Sequence, residues 1–106
     1  IGESVQGRDL WVMRITDNPG VEEAEPEVKY IGSMHGDEPV GMVMLLYLVD
    51  LLLVNYGSNT RITNLVDSTD ISILVLMNPD GYEAAIRANA NGRDLNRSFP
   101  QGLDDF

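Results

Sequence analysis

Between Val40 and Val54 every residue except Asp50 is apolar or glycine. A helix with that composition is hydrophobic all round and has to be covered on more than one side. Crossing a bilayer takes roughly 20 apolar residues, so the run is too short to span, and Asp50 interrupts it. The expectation is therefore a helix buried against a sheet. Gly36-Asp37-Glu38-Pro39 marks its start, with acidic residues ahead of a proline suited to the first helical position. Gly57 marks its stop.

The sheet has three candidate strands. Leu10 to Thr16 is bounded by the Gly7 turn and by Asn18-Pro19-Gly20. Val28 to Met34 follows an acidic, proline-containing loop, and the two strands are expected to pair as a hairpin with a long connection. Ile71 to Met77 is almost continuously apolar, as suits a central strand covered on both faces. Strand, helix, strand is the βαβ pattern of a parallel or mixed sheet. Asn78-Pro79-Asp80-Gly81 then breaks the chain, and from there to Phe99 the sequence reads as a loop rich in Asn, Gly and Arg. The expected fold class is α/β, a partial mixed-sheet α/β/α sandwich.

Charge and composition remove several function classes. Seven basic residues against 17 acidic ones give a formal net charge of −10, so nucleic acid is not an expected partner. The chain has no cysteine, which excludes a disulfide framework and a Cys-based zinc site. With 106 residues it is one domain or part of one. Ile1-Gly2-Glu3 has neither the charged start nor the apolar core of a signal peptide. Both ends read as cut, the second at Gly102-Leu103-Asp104-Asp105-Phe106, so residues 1–106 are expected to be a portion of a longer protein.

Two constellations carry chemistry. His35-Gly36-Asp37-Glu38 follows a strand and opens a helix, which is where open α/β proteins place ligand sites. Across so tight a turn His35 and Glu38 can converge on one cation, with Gly36 leaving the approach uncrowded. Imidazole plus carboxylate suits zinc in a His₂Glu site of the hydrolytic type. Taken alone, the tetrad is a weak signal, since a single His beside acidic residues is usually an ordinary loop. The second set is Arg87, Arg93, Asp94, Asn96 and Arg97. Arginine offers a planar fork for a carboxylate, and asparagine can both donate and accept beside it. Alone, this set also fits a solvated loop with local salt bridges.

Four segments in order resemble the zinc metallocarboxypeptidase family. His35-Gly36-Asp37-Glu38 is similar to its His-x-x-Glu zinc motif, and Asn78-Pro79-Asp80-Gly81-Tyr82-Glu83 to its Asn-Pro-Asp-Gly-(Phe/Tyr)-Glu segment. Gly92-Arg93-Asp94-Leu95-Asn96-Arg97-Ser98-Phe99-Pro100 resembles its Gly-x-Asp-Leu-Asn-Arg-Asn-Phe-Pro block, and Ser4-Val5-Gln6-Gly7-Arg8-Asp9-Leu10-Trp11 its approach to the first core strand. The wording of the third block and the short spacing from Arg87 to Asn96 resemble the regulatory branch, carboxypeptidases D, E, N and M.

The resemblance implies roles. His35 and Glu38 would be two of three ligands to one zinc ion, with Asp94 the carboxylate that orients the histidine. Arg87 would polarise the scissile carbonyl and stabilise the oxyanion. Asn96 and Arg97, with Arg87, would bind the substrate, gripping its terminal carboxylate. The implied activity is release of C-terminal residues, Lys or Arg by branch, from peptides and proteins. The implied setting is secretory or extracellular, and membrane anchoring of the parent is compatible with it. Ser98 departs from the usual Asn and creates a sequon, Asn96-Arg97-Ser98, expected to be unused because a glycan would block the pocket. His35 is the only histidine, so the third ligand has no candidate here, and the family's general-base Glu and mobile Tyr would lie beyond Phe106. The 106 residues then correspond to roughly the N-terminal third of a catalytic domain and are expected to be inactive and poorly soluble by themselves. Two other readings are a carboxypeptidase-like binding module without catalysis and a related zinc acyl-amino-acid deacylase.

Overall fold

The computed structural model describes residues 1–99. Pro100, which closes the third motif, and the stretch to Phe106 lie outside the described residues. Three strands form one sheet: β1 (Val12–Ile15), β2 (Glu27–Ile31) and β3 (Asp70–Leu74). Two helices lie between β2 and β3 in sequence, α1 (Val40–Asn55) and α2 (Thr60–Val66). A short α3 (Pro79–Ala84) and a 3₁₀ turn (Leu95–Arg97) follow β3.

The strand order is β1-β3-β2. β2 runs parallel to β3, from Glu27 opposite Asp70 to Ile31 opposite Leu74, which is the expected βαβ unit. β1 runs antiparallel to β3, from Val12 opposite Leu74 to Ile15 opposite Ile71. The hairpin expected between the first two strands is therefore not formed, because β3 inserts between them. The reason lies in composition. Ile71, Ile73 and Leu74 are buried, and the most apolar strand gains most from having a neighbour on each side. Together these elements make an α/β fold on a small mixed sheet.

Ile15, Leu52, Val66, Ile71 and Ile73 form the buried core, with Leu45, Leu48, Val49, Ile62 and Val75 packed against it. Leu45, Leu48, Val49 and Leu52 recur at helical spacing and give α1 one stripe against the sheet. Its other sides stay open: Tyr47 is 73% and Val54 69% exposed. α1 is thus packed against the sheet, as expected, along one face. Pro39 stands one position earlier than expected, as the N-cap of α1. No single helix among the described residues is long and apolar enough to cross a membrane.

α2 was not expected from sequence. Asn59 starts it by accepting from the Arg61 and Ile62 N–H groups with its side chain, and Ile62 and Val66 bury its inner face. Parallel pairing of β2 and β3 brings the carboxyl ends of both strands to one edge of the sheet. The His35 turn leaves one of them and the Asn78 segment leaves the other.

Candidate active site

The two exits are laced together by the backbone. Beyond the paired strands, Asn78 N–H donates to the Ser33 carbonyl at 3.1 Å and Met77 N–H to that of Gly32 at 3.0 Å. Asn78 then caps α3: its side-chain oxygen accepts from Gly81 N–H at 3.0 Å, with Pro79 at the first helical position. The segment read from sequence as a break is therefore a helix start. Gly36 and Gly81 meet at this crossing. A Cβ on Gly36 would collide with the Gly81 carbonyl and the Tyr82 nitrogen. Gly36 is thus required for the approach of α3, where the sequence had pointed to the approach of a metal.

Among the described residues, two non-glycine residues take positive φ, Ser33 at 44° and Ala85 at 51°. Each stands two positions before a candidate site residue, His35 and Arg87 respectively. Left-handed backbone costs such residues roughly 1–2 kcal/mol, and strain of this kind concentrates at functional sites.

Four of the candidate residues converge. His35 is buried, 6% exposed. Its Nε2 lies 2.9 Å from Asp94 Oδ1 and its Nδ1 3.1 Å from Glu38 Oε2. Arg87 Nε donates to Asp94 Oδ2 at 2.9 Å, and a terminal nitrogen of Arg87 reaches Glu38 Oε1 at 3.4 Å. The Arg87 carbonyl accepts from Gly36 N–H at 3.4 Å and from Asn78 Nδ2 at 3.3 Å. Asn96 and Arg97 follow on the 3₁₀ turn, which Asp94 caps by accepting the Asn96 N–H at 2.9 Å. Arg97 donates to the Asn96 carbonyl at 3.0 Å, and Ser98 Oγ to the Asp94 carbonyl at 3.0 Å. Arg93 is held through its backbone by Asn89 and stands outside this group.

The charges are coupled. The hydrogen bond to His35 holds the Asp94 carboxyl down to about 2, helped by Arg87 and the Asn96 N–H and opposed by partial burial. Reciprocally, Asp94 first and Glu38 second raise the His35 imidazole above its ordinary value, against burial and the charge of Arg87.

This donor set fits a zinc ion. With the Nε2 proton given to Asp94, the Nδ1 lone pair faces a carboxylate oxygen 3.1 Å away, and two electron pairs so placed need a proton or a cation between them. Ligands about 2.1 Å from a tetrahedral zinc lie ~3.4 Å apart, close to the separation here. A ligating histidine whose second nitrogen binds a carboxylate is also the usual arrangement. Glu38 is 61% exposed on its side chain, so the remaining coordination positions face outward. Among the described residues, the one group of three candidate ligands is elsewhere, Asp17, Glu23 and Glu25, an all-carboxylate set near the β1–β2 connection.

Two residues of the region escaped the sequence reading as individuals. Asn78 is 2% and Asp80 4% exposed. Asp80 accepts from Ser4 Oγ at 2.7 Å, Gln6 N–H at 3.1 Å and Arg8 at 2.6 Å, which ties the N-terminal segment to α3. Asparagine before Pro-Asp is a helix-cap signal that could have located both.

The fold is α/β on a small mixed sheet, with His35, Glu38, Asp94 and Arg87 brought together beyond the carboxyl ends of two parallel strands. Residues 1–105 match the zinc carboxypeptidase family model, and the chain belongs to that family. It is 51% identical to carboxypeptidase D of Anas platyrhynchos over 94% of this chain and 8% of that protein. It is 47% identical to the carboxypeptidase N catalytic chain of Homo sapiens over 94% of this chain and 25% of that one. The chain thus spans a quarter or less of these relatives' lengths. Among solved structures, a metallo-carboxypeptidase from Burkholderia cenocepacia superposes with a TM-score of 0.78 at 27% identity, covering 91% of this chain and 26% of that one. A metallo-carboxypeptidase from Pseudomonas aeruginosa in complex with (2-guanidinoethylmercapto)succinic acid gives 0.67 at 28% identity, over 91% and 24%.

Proposed function

We propose that this chain is the N-terminal part, residues 1–106, of the catalytic domain of a zinc-dependent exopeptidase that removes C-terminal residues from peptides and proteins. The observation that carries the reading is that Asp94 holds both His35 and Arg87, while Glu38 meets the same two residues from the other side. His35 and Glu38 hold the zinc. Bound there, zinc supplies the Lewis acidity that makes water nucleophilic at neutral pH. Asp94 keeps the His35 proton on Nε2, so that Nδ1 stays available to the metal.

Arg87 presents a fixed positive charge to the scissile carbonyl as its oxygen becomes anionic. Preorganised charge of this kind is commonly worth about 3–4 kcal/mol of barrier. Asn96 and Arg97 hold the substrate's terminal carboxylate, and this grip restricts cutting to the chain end. The third metal ligand and the proton acceptor come from the longer protein, so residues 1–106 alone are inactive.

A preference for C-terminal Lys or Arg is supported by the likeness to carboxypeptidases D and N. It is also supported by the ligand of the Pseudomonas relative, which joins a guanidino group to a dicarboxylate. The family resemblance favours a secretory or extracellular setting.

The test is zinc content together with hydrolysis of dansylated peptides ending in Arg, Lys or Leu, on the full-length protein. One zinc per chain and fastest release of the basic residues support the reading. A folded protein that neither binds zinc nor cleaves any of the three would be a binding module instead.

A further inference from the structure

Asn78 does more than a helix cap requires. A cap needs one side-chain acceptor, and Ser, Asp and Asn serve about equally well. Here Gly81 N–H can only donate, so it fixes the side-chain oxygen of Asn78 on its own side, 3.0 Å away. The NH₂ group is thereby aimed at the Arg87 carbonyl at 3.3 Å. Asparagine carries its acceptor and its donor on two separate atoms, whereas a serine or threonine hydroxyl holds both on one oxygen closer to the backbone. The same residue is joined by its backbone N–H to the Ser33 carbonyl, two positions before His35. It is buried, 2% exposed. One residue thus joins the segment that carries Arg87, through its side chain, to the strand end that leads to His35, through its backbone.

We propose that Asn78 is a positioning residue for Arg87: through the Arg87 carbonyl it sets the reach of the guanidinium over the His35–Glu38 pair. This rests on the reading that Arg87 acts at the scissile carbonyl. Asn78 touches no substrate.

The test is a double-mutant cycle in the full-length protein. Asn78→Ser keeps a capping oxygen for Gly81 and removes the Nδ2 that reaches the Arg87 carbonyl, since the single, shorter hydroxyl stays with the cap. The expected result is a fall in kcat of roughly 10-fold or more, since misplacement by about 1 Å can cost ~100-fold. KM, zinc content and affinity for free arginine by calorimetry stay within about twofold, because the carboxylate grip and the metal ligands are untouched. On an Arg87→Ala background the same substitution costs less than about twofold.

Equal losses on both backgrounds, or a loss explained by missing zinc, would overturn the assignment. If Asn78→Ser does not fold, Asn78→Asp, which also keeps a cap and lacks the donor, takes its place in the cycle. Should neither fold, Asn78 is a folding residue and the assignment falls. Failure of the underlying reading looks different: Arg87→Ala alone would then leave kcat at its wild-type value.

Discussion

Asp94 and His35 are 59 positions apart in sequence and 2.9 Å apart in space, carboxylate oxygen to Nε2. The other carboxylate oxygen of Asp94 takes Arg87 Nε at the same distance. One side chain therefore orients both a candidate metal ligand and the candidate oxyanion group. Asp94→Asn keeps the shape and removes the charge. Zinc affinity is expected to fall about 10–100-fold, read by competition with a chelator of known affinity, and kcat/KM should fall further because Arg87 is loosened as well. Unchanged zinc affinity would separate Asp94 from the metal site.

The pH dependence of stability follows from His35. Its folded value is raised by Asp94 and then Glu38, so in the zinc-free protein its contribution is complete below the ordinary 6.5. It is lost as pH rises through the raised value. Zinc takes the place of that proton. The gap in Tm between zinc-loaded and chelated protein should therefore widen as pH rises from about 6 to 8. A gap that narrows over this range would contradict the assignment of His35.

Asp80 titrates in the opposite sense. Burial pushes its carboxyl up, but the hydrogen bonds from Ser4, Arg8 and the Gln6 N–H outweigh that and leave it below its ordinary 3.8. Its contribution is present above that value and lost as pH falls through the folded one. Asp80→Ala should remove the anchor of residues 1–10 at neutral pH. The expected signs are faster proteolysis within that segment and a Tm several degrees lower. Equal proteolysis rates would show that the anchor lies elsewhere.

Gly36→Ala tests the crossing of the two strand exits. The added Cβ meets backbone of Gly81 and Tyr82, not a side chain that could rotate away. Overpacking of this kind costs about 1–3 kcal/mol or more, visible as a lower urea midpoint at unchanged slope. Gly57→Ala is a control, since its φ of 78° strains any side chain but nothing lies within 4 Å. It should cost clearly less.

The three strands and α1 could be read from sequence because they carry strong apolar runs, and strand neighbours β2 and β3 followed from the βαβ pattern. Strand order was less accessible. Nothing local tells Leu10–Thr16 that its partner is β3, because that preference arises from burying Ile71 and Ile73 on both sides. α2 was missed because seven residues with mixed polarity carry little periodicity; only the Asn59 cap and the spacing of Ile62 and Val66 announce it. In the site, His35, Glu38, Arg87 and Asp94 were legible as residue types with chemistry. The work of Asn78 and Asp80 was not, since it consists of contacts to Arg87 and to Ser4 and Arg8 that only the fold creates.

The proposed function depends first on His35 and Glu38 holding a zinc ion. An anomalous difference map at the zinc absorption edge, from crystals of the full-length protein, tests it most directly. One strong peak is expected, about 2.1 Å from His35 Nδ1 and from a Glu38 carboxylate oxygen. A peak at Asp17, Glu23 and Glu25 instead, or none beside His35, would contradict it.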